Sequence, residues 1–212
     1  MNSMLTFNQN THPNPSHAGA AAAPSWAGET VIIELPHDYN DGHPGELDLL
    51  LPKVSVLMRN ERRWLAWIAP PFRITSDRLA EHEISPTSLL QIHPGHSTQH
   101  FRLVRRALAT GRCGVVMAWT HHCAPEEIEH LRDAAAMGQS VCILLVHAAE
   151  SSHPELDFNL RLRADAGSND HWFEVLASTP FARELAAASP SPTLDPIHVR
   201  GAPPTPLQLS IF

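Results

Sequence analysis

Three observations predict an α/β fold: a mostly parallel sheet with helices on both faces and antiparallel strands added at the C-terminal end. Strand-length apolar runs alternate with helical periods between residues 30 and 147. Several runs, CGVVMAW (113–119) above all, are apolar throughout, as strands covered on both faces are. Past residue 147 the pattern changes to alternating apolar and polar residues, the mark of a half-exposed strand.

The elements follow in chain order. Residues 1–28 are rich in Asn, Ser, His, Pro and Ala and are expected to be a disordered tail, since they bury too little to offset ordering entropy. TVIIELP (30–36) is a β-branched strand. GELDLLLPKVSVLMRN (45–60) has helical length, and Pro52 predicts a kink or a first-turn proline. RWLAWIA (63–69) is a buried strand ended by Pro70 and Pro71. TSDRLAEHEI (75–84) is a short helix that Thr75 or Ser76 caps, and SLLQIH (88–93) is another strand.

STQHFRLVRRALATG (97–111) is the clearest helix. Ser97 is its expected cap, Phe101, Val104 and Leu108 form its apolar stripe, and Gly111 suits a left-handed C-terminal turn. After the strand at 113–119, APEEIEHLRDAAAMG (124–138) is a helix with Pro125 at its first position and Glu126 and Glu127 on its dipole. Ile128, Leu131 and Ala135 face the core, and Gly138 ends the helix. SVCILLVH (140–147) is the next strand. LDFNLRLR (156–163) and HWFEVLA form an expected hairpin, residues 187–206 read as irregular, and PLQLSIF (206–212) as an edge strand. The expected organisation is a tail (1–28), an α/β core (29–150) and a C-terminal extension (151–212).

Composition narrows the function. The net charge of −7 argues against a bulk nucleic-acid binder, and no direct nucleic-acid binding is expected. Lys53 is the only lysine among 15 basic residues; arginine suits fixed bidentate contacts better. The 3 cysteines lack framework spacing, which predicts free thiols in a reducing compartment. No signal peptide or membrane-length apolar run is seen, so a cytoplasmic location is expected, with no membrane partner.

Catalytic motifs fail in turn. A P-loop needs Gly-Lys-Ser/Thr, and Lys53 lies between Pro52 and Val54. The strand 113–119 runs on to Thr120 and His121 without an aspartate for magnesium, and no G-x-G-x-x-G occurs. His121, His122 and Cys123, with Cys142 nearby, lack metal-ligand spacing. Gly95-His96-Ser97 lacks the second glycine of a nucleophile elbow, and Glu81-His82-Glu83 reads as a solvated helix end. No catalytic residue, metal or cofactor is assigned. What remains is Arg62, Arg63, Arg102, Arg105, Arg106 and Arg112: either solvated charge or a surface for an acidic partner protein. A small-molecule site left in a nucleotide-fold relic is a third class.

LLLPKVSVL, RRWLAWIAP, SLLQIH, RRALATGRCGVVMAW and EEIEHLRDAAAMG, in that order, resemble the SulA family of SOS cell-division inhibitors. The resemblance covers roughly residues 30 to 147. It implies a RecA-like core without ATP chemistry and a partner, the division protein FtsZ, whose polymerisation such proteins block without catalysis, often as homodimers. It places the FtsZ-contacting segment on Ala107, Leu108, Ala109, Thr110, Gly111, Arg112 and Cys113. Arg63 matches an arginine needed for inhibition, and Ile68 replaces a leucine. Arg78 stands at a functional tryptophan and Ser88 at a functional lysine, and the chain ends in Ser-Ile-Phe instead of a histidine that aids proteolysis. The added C-terminal residues also resemble ImuA proteins, which implies an alternative: an accessory protein of SOS translesion synthesis that binds RecA or an error-prone polymerase.

Overall fold

A computed structural model describes residues 26–36, 45–59, 62–96, 99–147, 156–164 and 171–187. Seven strands form one sheet. In chain order the elements are β1 (Thr30–Leu35), α1 (Gly45–Arg59), β2 (Trp64–Ile68), α2 (Ser76–Glu81), β3 (Leu89–Ile92), α3 (His100–Ala109), β4 (Cys113–Thr120), α4 (Pro125–Gly138), β5 (Val141–His147), β6 (Leu160–Ala164), β7 (His171–Val175) and α5 (Pro180–Ala187). The spatial order is β3-β2-β4-β5-β1-β6-β7. Every neighbouring pair is parallel except β6 and β7. The hairpin's first strand therefore continues the parallel sheet beside β1, and β7 alone reverses.

Alternate residues of each strand feed two cores. Ile33, Trp67, Met117 and Leu145 pack with α1, α2 and α5; Ile32, Ile68, Val116 and Leu144 pack with α3 and α4. Both faces of the central strands are thus dry, which is why their sequences are apolar without alternation.

Local expectations fare unevenly. Thr75 caps α2, its side chain accepting from the Arg78 amide at 3.3 Å. Pro52 lies well inside α1, not in its first turn, on an exposed position where its missing N–H is tolerated. α3 begins at His100 with Gln99 at the cap position and no side-chain cap, while Ser97 lies outside the described residues. Of the expected tail, residues 1–25 lie outside the described residues, whereas Trp26 packs on Phe181 at 5.8 Å between ring centroids. Helix α5 was not foreseen, yet it buries Phe181, Ala182 and Leu185 in the same core as α1. Residues 188–206 and PLQLSIF lie outside the described residues.

Candidate functional site

Strands β2, β4 and β5 begin side by side, so the segments entering them share the amino edge of the sheet. Helix α3 ends there, turns through Gly111, and enters β4. Gly111 has φ +64, the left-handed conformation that a side chain resists. Its amide donates to the Leu108 carbonyl at 3.1 Å, and the Thr110 hydroxyl donates to the Ala107 carbonyl at 3.1 Å.

The end of α4 closes against this turn. Gly138 ends its helix as expected, and the left-handed step beyond it falls on Gln139, at φ 49. Gly138 answers a different need. A Cβ there would meet the Leu108 carbonyl oxygen at 1.8 Å, so only glycine lets α3 and α4 approach this closely. Ser140, fully buried, lies within hydrogen-bonding reach of the Cys113 carbonyl at 2.6 Å and the Leu108 carbonyl at 3.2 Å. The Trp64 amide donates to the Arg112 carbonyl at 2.9 Å, which ties β2 to the same corner.

Arg63 sits at the junction. Its guanidinium donates to the Gln139 carbonyl at 2.7 Å and the Gly138 carbonyl at 3.4 Å, two backbone oxygens at the end of α4. A cation there also meets the negative end of the helix dipole. Burial pushes the Cys113 thiol up, against the opposing pull of Arg63.

The residues singled out from the sequence are therefore not equivalent. Arg63 and the segment from Ala107 to Cys113 do come together. Within that segment Thr110 and Arg112 are exposed, Ala107, Ala109 and Gly111 are half-buried, and Leu108 and Cys113 are interior. Ile68 lies at the far end of β2, fully buried among the residues beneath α3 and α4, and cannot touch a partner directly. Arg105 joins Arg102 in a groove of about 240 Å³ between α3 and α4, which Glu127 and His130 also line. Arg78 holds α2 to α1 through an ion pair with Asp48. Ser88 lies on the same amino edge, just before the Leu89–Leu65 pairing, its hydroxyl donating to the Ser85 carbonyl at 2.7 Å.

Two residues of this edge escaped the sequence reading. Trp64 opens β2 with 46% of its surface exposed, and Met137, in the last turn of α4, is 75% exposed. Trp64 was read as the start of a buried strand, although its neighbours Arg62 and Arg63 were a signal that it lies at the surface. Tryptophan, methionine and arginine are the residues most enriched in protein interfaces.

The other candidate chemistry disperses. His121 stacks on His147 at 4.6 Å, and among the described residues no three His, Cys, Asp or Glu side chains are placed to hold a metal. Glu83 pairs with Arg59 at 2.9 Å in solvent. Cys113, Cys123 and Cys142 are free and buried, and burial pushes the latter two thiols up to about 12. No described helix is long and apolar enough to cross a membrane.

The chain is 31% identical over 121 residues to the cell division inhibitor SulA of Pectobacterium atrosepticum, covering 57% of this chain and 70% of that one. It is 27% identical over 129 residues to the SulA of Serratia proteamaculans, covering 61% and 71%. The crystal structure of SulA from Pseudomonas aeruginosa aligns with 26% identity over 55% of this chain and 97% of that chain, at a TM-score of 0.45. The family model for the cell division inhibitor SulA matches residues 31–142 of the 212, and the chain belongs to the SulA family.

Proposed function

We propose that this protein inhibits cell division by binding FtsZ through the amino edge of its sheet, stoichiometrically and without catalysis. The observation that carries the reading is the exposed set Thr110, Arg112, Trp64 and Met137 on a corner that Arg63, Gly138 and Ser140 hold rigid. A pre-ordered surface binds without spending its affinity on ordering. Membership of the SulA family supports the division role; FtsZ is the partner that the family resemblance implies.

In this reading Thr110 and Arg112 make contact, whereas Arg63, Leu108 and Cys113 position them and Ile68 fills the core behind. The test is FtsZ GTPase activity and sedimentation with this protein titrated in. Loss of both near a one-to-one ratio is the expected result, and sedimentation of the free protein reads whether a homodimer forms. No effect at large excess would overturn the reading. The second reading, an accessory role in translesion synthesis, rests on β6, β7 and α5, which lie beyond residues 31–142. Pulldown of RecA or an error-prone polymerase would favour it.

A further inference from the structure

Helices α3 and α4 lie side by side on one face of the sheet and meet at their ends, where Gly138 approaches the Leu108 carbonyl. Nearer their starts a groove of about 240 Å³ separates them. Arg102 and Arg105 line it from α3, Glu127 and His130 from α4, and Phe101 and Leu131 supply its apolar surface. The groove lies away from Thr110 and Arg112, which follow the last turn of α3.

Positive charge in this groove is uncompensated. The chain as a whole is acidic, at −7, yet α3 reads HFRLVRRALA, with three arginines and no carboxylate. Arg102 and Arg105 stand three positions apart, hence on one side of the helix, and like charges so placed repel. The one carboxylate lining the groove does not answer them. Glu127 accepts from the Ala124 amide at 3.1 Å, which closes the start of α4. Arg59, Arg78, Arg132, Arg161 and Arg163 each hold a carboxylate. Among the described residues Arg102 and Arg105, both exposed, have neither an ion-pair nor a hydrogen-bond partner.

We propose that this groove binds a short acidic peptide segment of a partner protein. Its carboxylates pair with Arg102 and Arg105, and an apolar side chain beside them rests on Phe101. The planar guanidinium matches a carboxylate with two parallel hydrogen bonds. The groove is smaller than the roughly 300 Å³ at which small-molecule sites begin, so it takes one or two side chains of a peptide. A broad polyanion, such as a membrane or a nucleic acid, is disfavoured, because α4 also displays Glu126 and Asp133 to solvent. The proposal does not rest on the FtsZ reading, which uses the other end of α3.

The experiment titrates the full-length protein with the capped peptide acetyl-Gly-Asp-Glu-Leu-Asp-Glu-Leu-Gly-amide at about 50 mM salt, following backbone amides and arginine Nε–H groups by NMR. The expected result is saturable movement of the Arg102 and Arg105 signals, with a Kd at or below about 1 mM. Arg102→Gln combined with Arg105→Gln weakens binding by about tenfold or more. Both positions are exposed, so that variant is expected to keep the fold. Arg73→Gln combined with Arg183→Gln removes the same charge at two other exposed positions and is expected to leave binding unchanged. Four results overturn the proposal: silence of the α3 and α4 signals up to about 5 mM peptide; equal binding of the peptide with Asn and Gln in place of Asp and Glu; equal weakening in the two double variants; or an equal response of the same signals to inorganic phosphate or to phosphatidylglycerol vesicles. No FtsZ is present, so the outcome is independent of the inhibition assay.

Discussion

The two edges of one sheet are built on opposite principles. At the amino edge backbone closes on backbone: Gly138 lets α4 touch the last turn of α3, Ser140 bridges the two, and Arg63 caps the end of α4. At the opposite, carboxyl edge the chains leaving β2 and β4 diverge to the two faces of the sheet. The first arrangement ties helix ends to strand starts beneath the exposed Thr110, Arg112, Trp64 and Met137; the second leaves an open cleft. The residues that hold the corner are also distinct from those it displays.

The closed edge breaks most sharply at Gly138. Gly138→Ala puts a methyl 1.8 Å from the Leu108 carbonyl oxygen, backbone against backbone with no side chain able to yield. We expect a loss of about 3 kcal/mol in urea unfolding, with inhibition falling accordingly. Gly95 lies toward the other edge, with nothing within 4 Å of an added Cβ; Gly95→Ala is expected to stay within about 0.5 kcal/mol of the parent. Equal effects of the two substitutions would erase the contrast between the edges.

Next in size is the separation of Arg63 from Arg112. The geometry makes Arg63 a support, so replacing both arginines together does not leave the fold untouched, as their sequence positions alone would suggest. Arg63→Ala removes two hydrogen bonds to α4 carbonyls and is expected to cost about 1 kcal/mol, discounted because the site is partly solvated. Arg112→Ala, at an exposed position, is expected to leave stability within about 0.5 kcal/mol while abolishing inhibition of FtsZ. An Arg112→Ala protein that inhibits at parental strength would remove the contact role from this corner.

How much of this was legible in the sequence divides along the same line. Gly111, Pro125, Thr75 and the apolar runs act through neighbours a few residues away, and periodicity reveals them. Gly138 and Arg63 act on partners 30 and 75 positions distant in the chain, at Leu108 and Gly138, which no local pattern encodes. Ile68 lies inside a run that reads as a buried strand, and its place among the contact residues came from the resemblance alone. Helix α5 is 8 residues long and runs into a stretch of Ala, Ser and Pro, so its signal was absorbed by the irregular text beside it. The cleft depends on strand order, which emerges only when the sheet assembles.

A smaller effect appears with pH, through His100 at the open edge. Burial lowers its folded pKa below the ordinary 6.5. The unfolded chain therefore takes up a proton that the folded chain refuses as pH falls below 6.5. The corresponding stability is fully present above that value and is lost as pH drops toward the folded pKa. Urea midpoints measured from pH 7.5 down to about 5 are expected to fall more steeply for the parent than for His100→Phe. Since the 14 other histidines stay in both proteins, the difference isolates this one. Parallel pH profiles would show that His100 is not desolvated as described.

The smallest expected effect compares one thiol at each edge. Cys113, at the amino edge, has its pKa raised by burial but pulled down by Arg63. Cys123, at the carboxyl edge, is pushed up to about 12 by burial and by the Glu127 carboxylate. Thiolate is the reactive form, so both should resist alkylation in the folded protein. When local opening exposes them, Cys113 is expected to react first with iodoacetamide at about pH 8, ahead of Cys123 and the fully buried Cys142, in peptide mass spectra over time. Arg63→Ala removes the favourable charge, but it also loosens the α4 end and raises the frequency of opening. The two consequences separate by pH. A lost charge slows Cys113 most near neutrality, where thiolate is scarce, whereas easier opening speeds it equally at every pH. Alkylation of Cys123 before Cys113 in the parent would mean that the carboxyl edge opens more readily than the charge pattern alone allows.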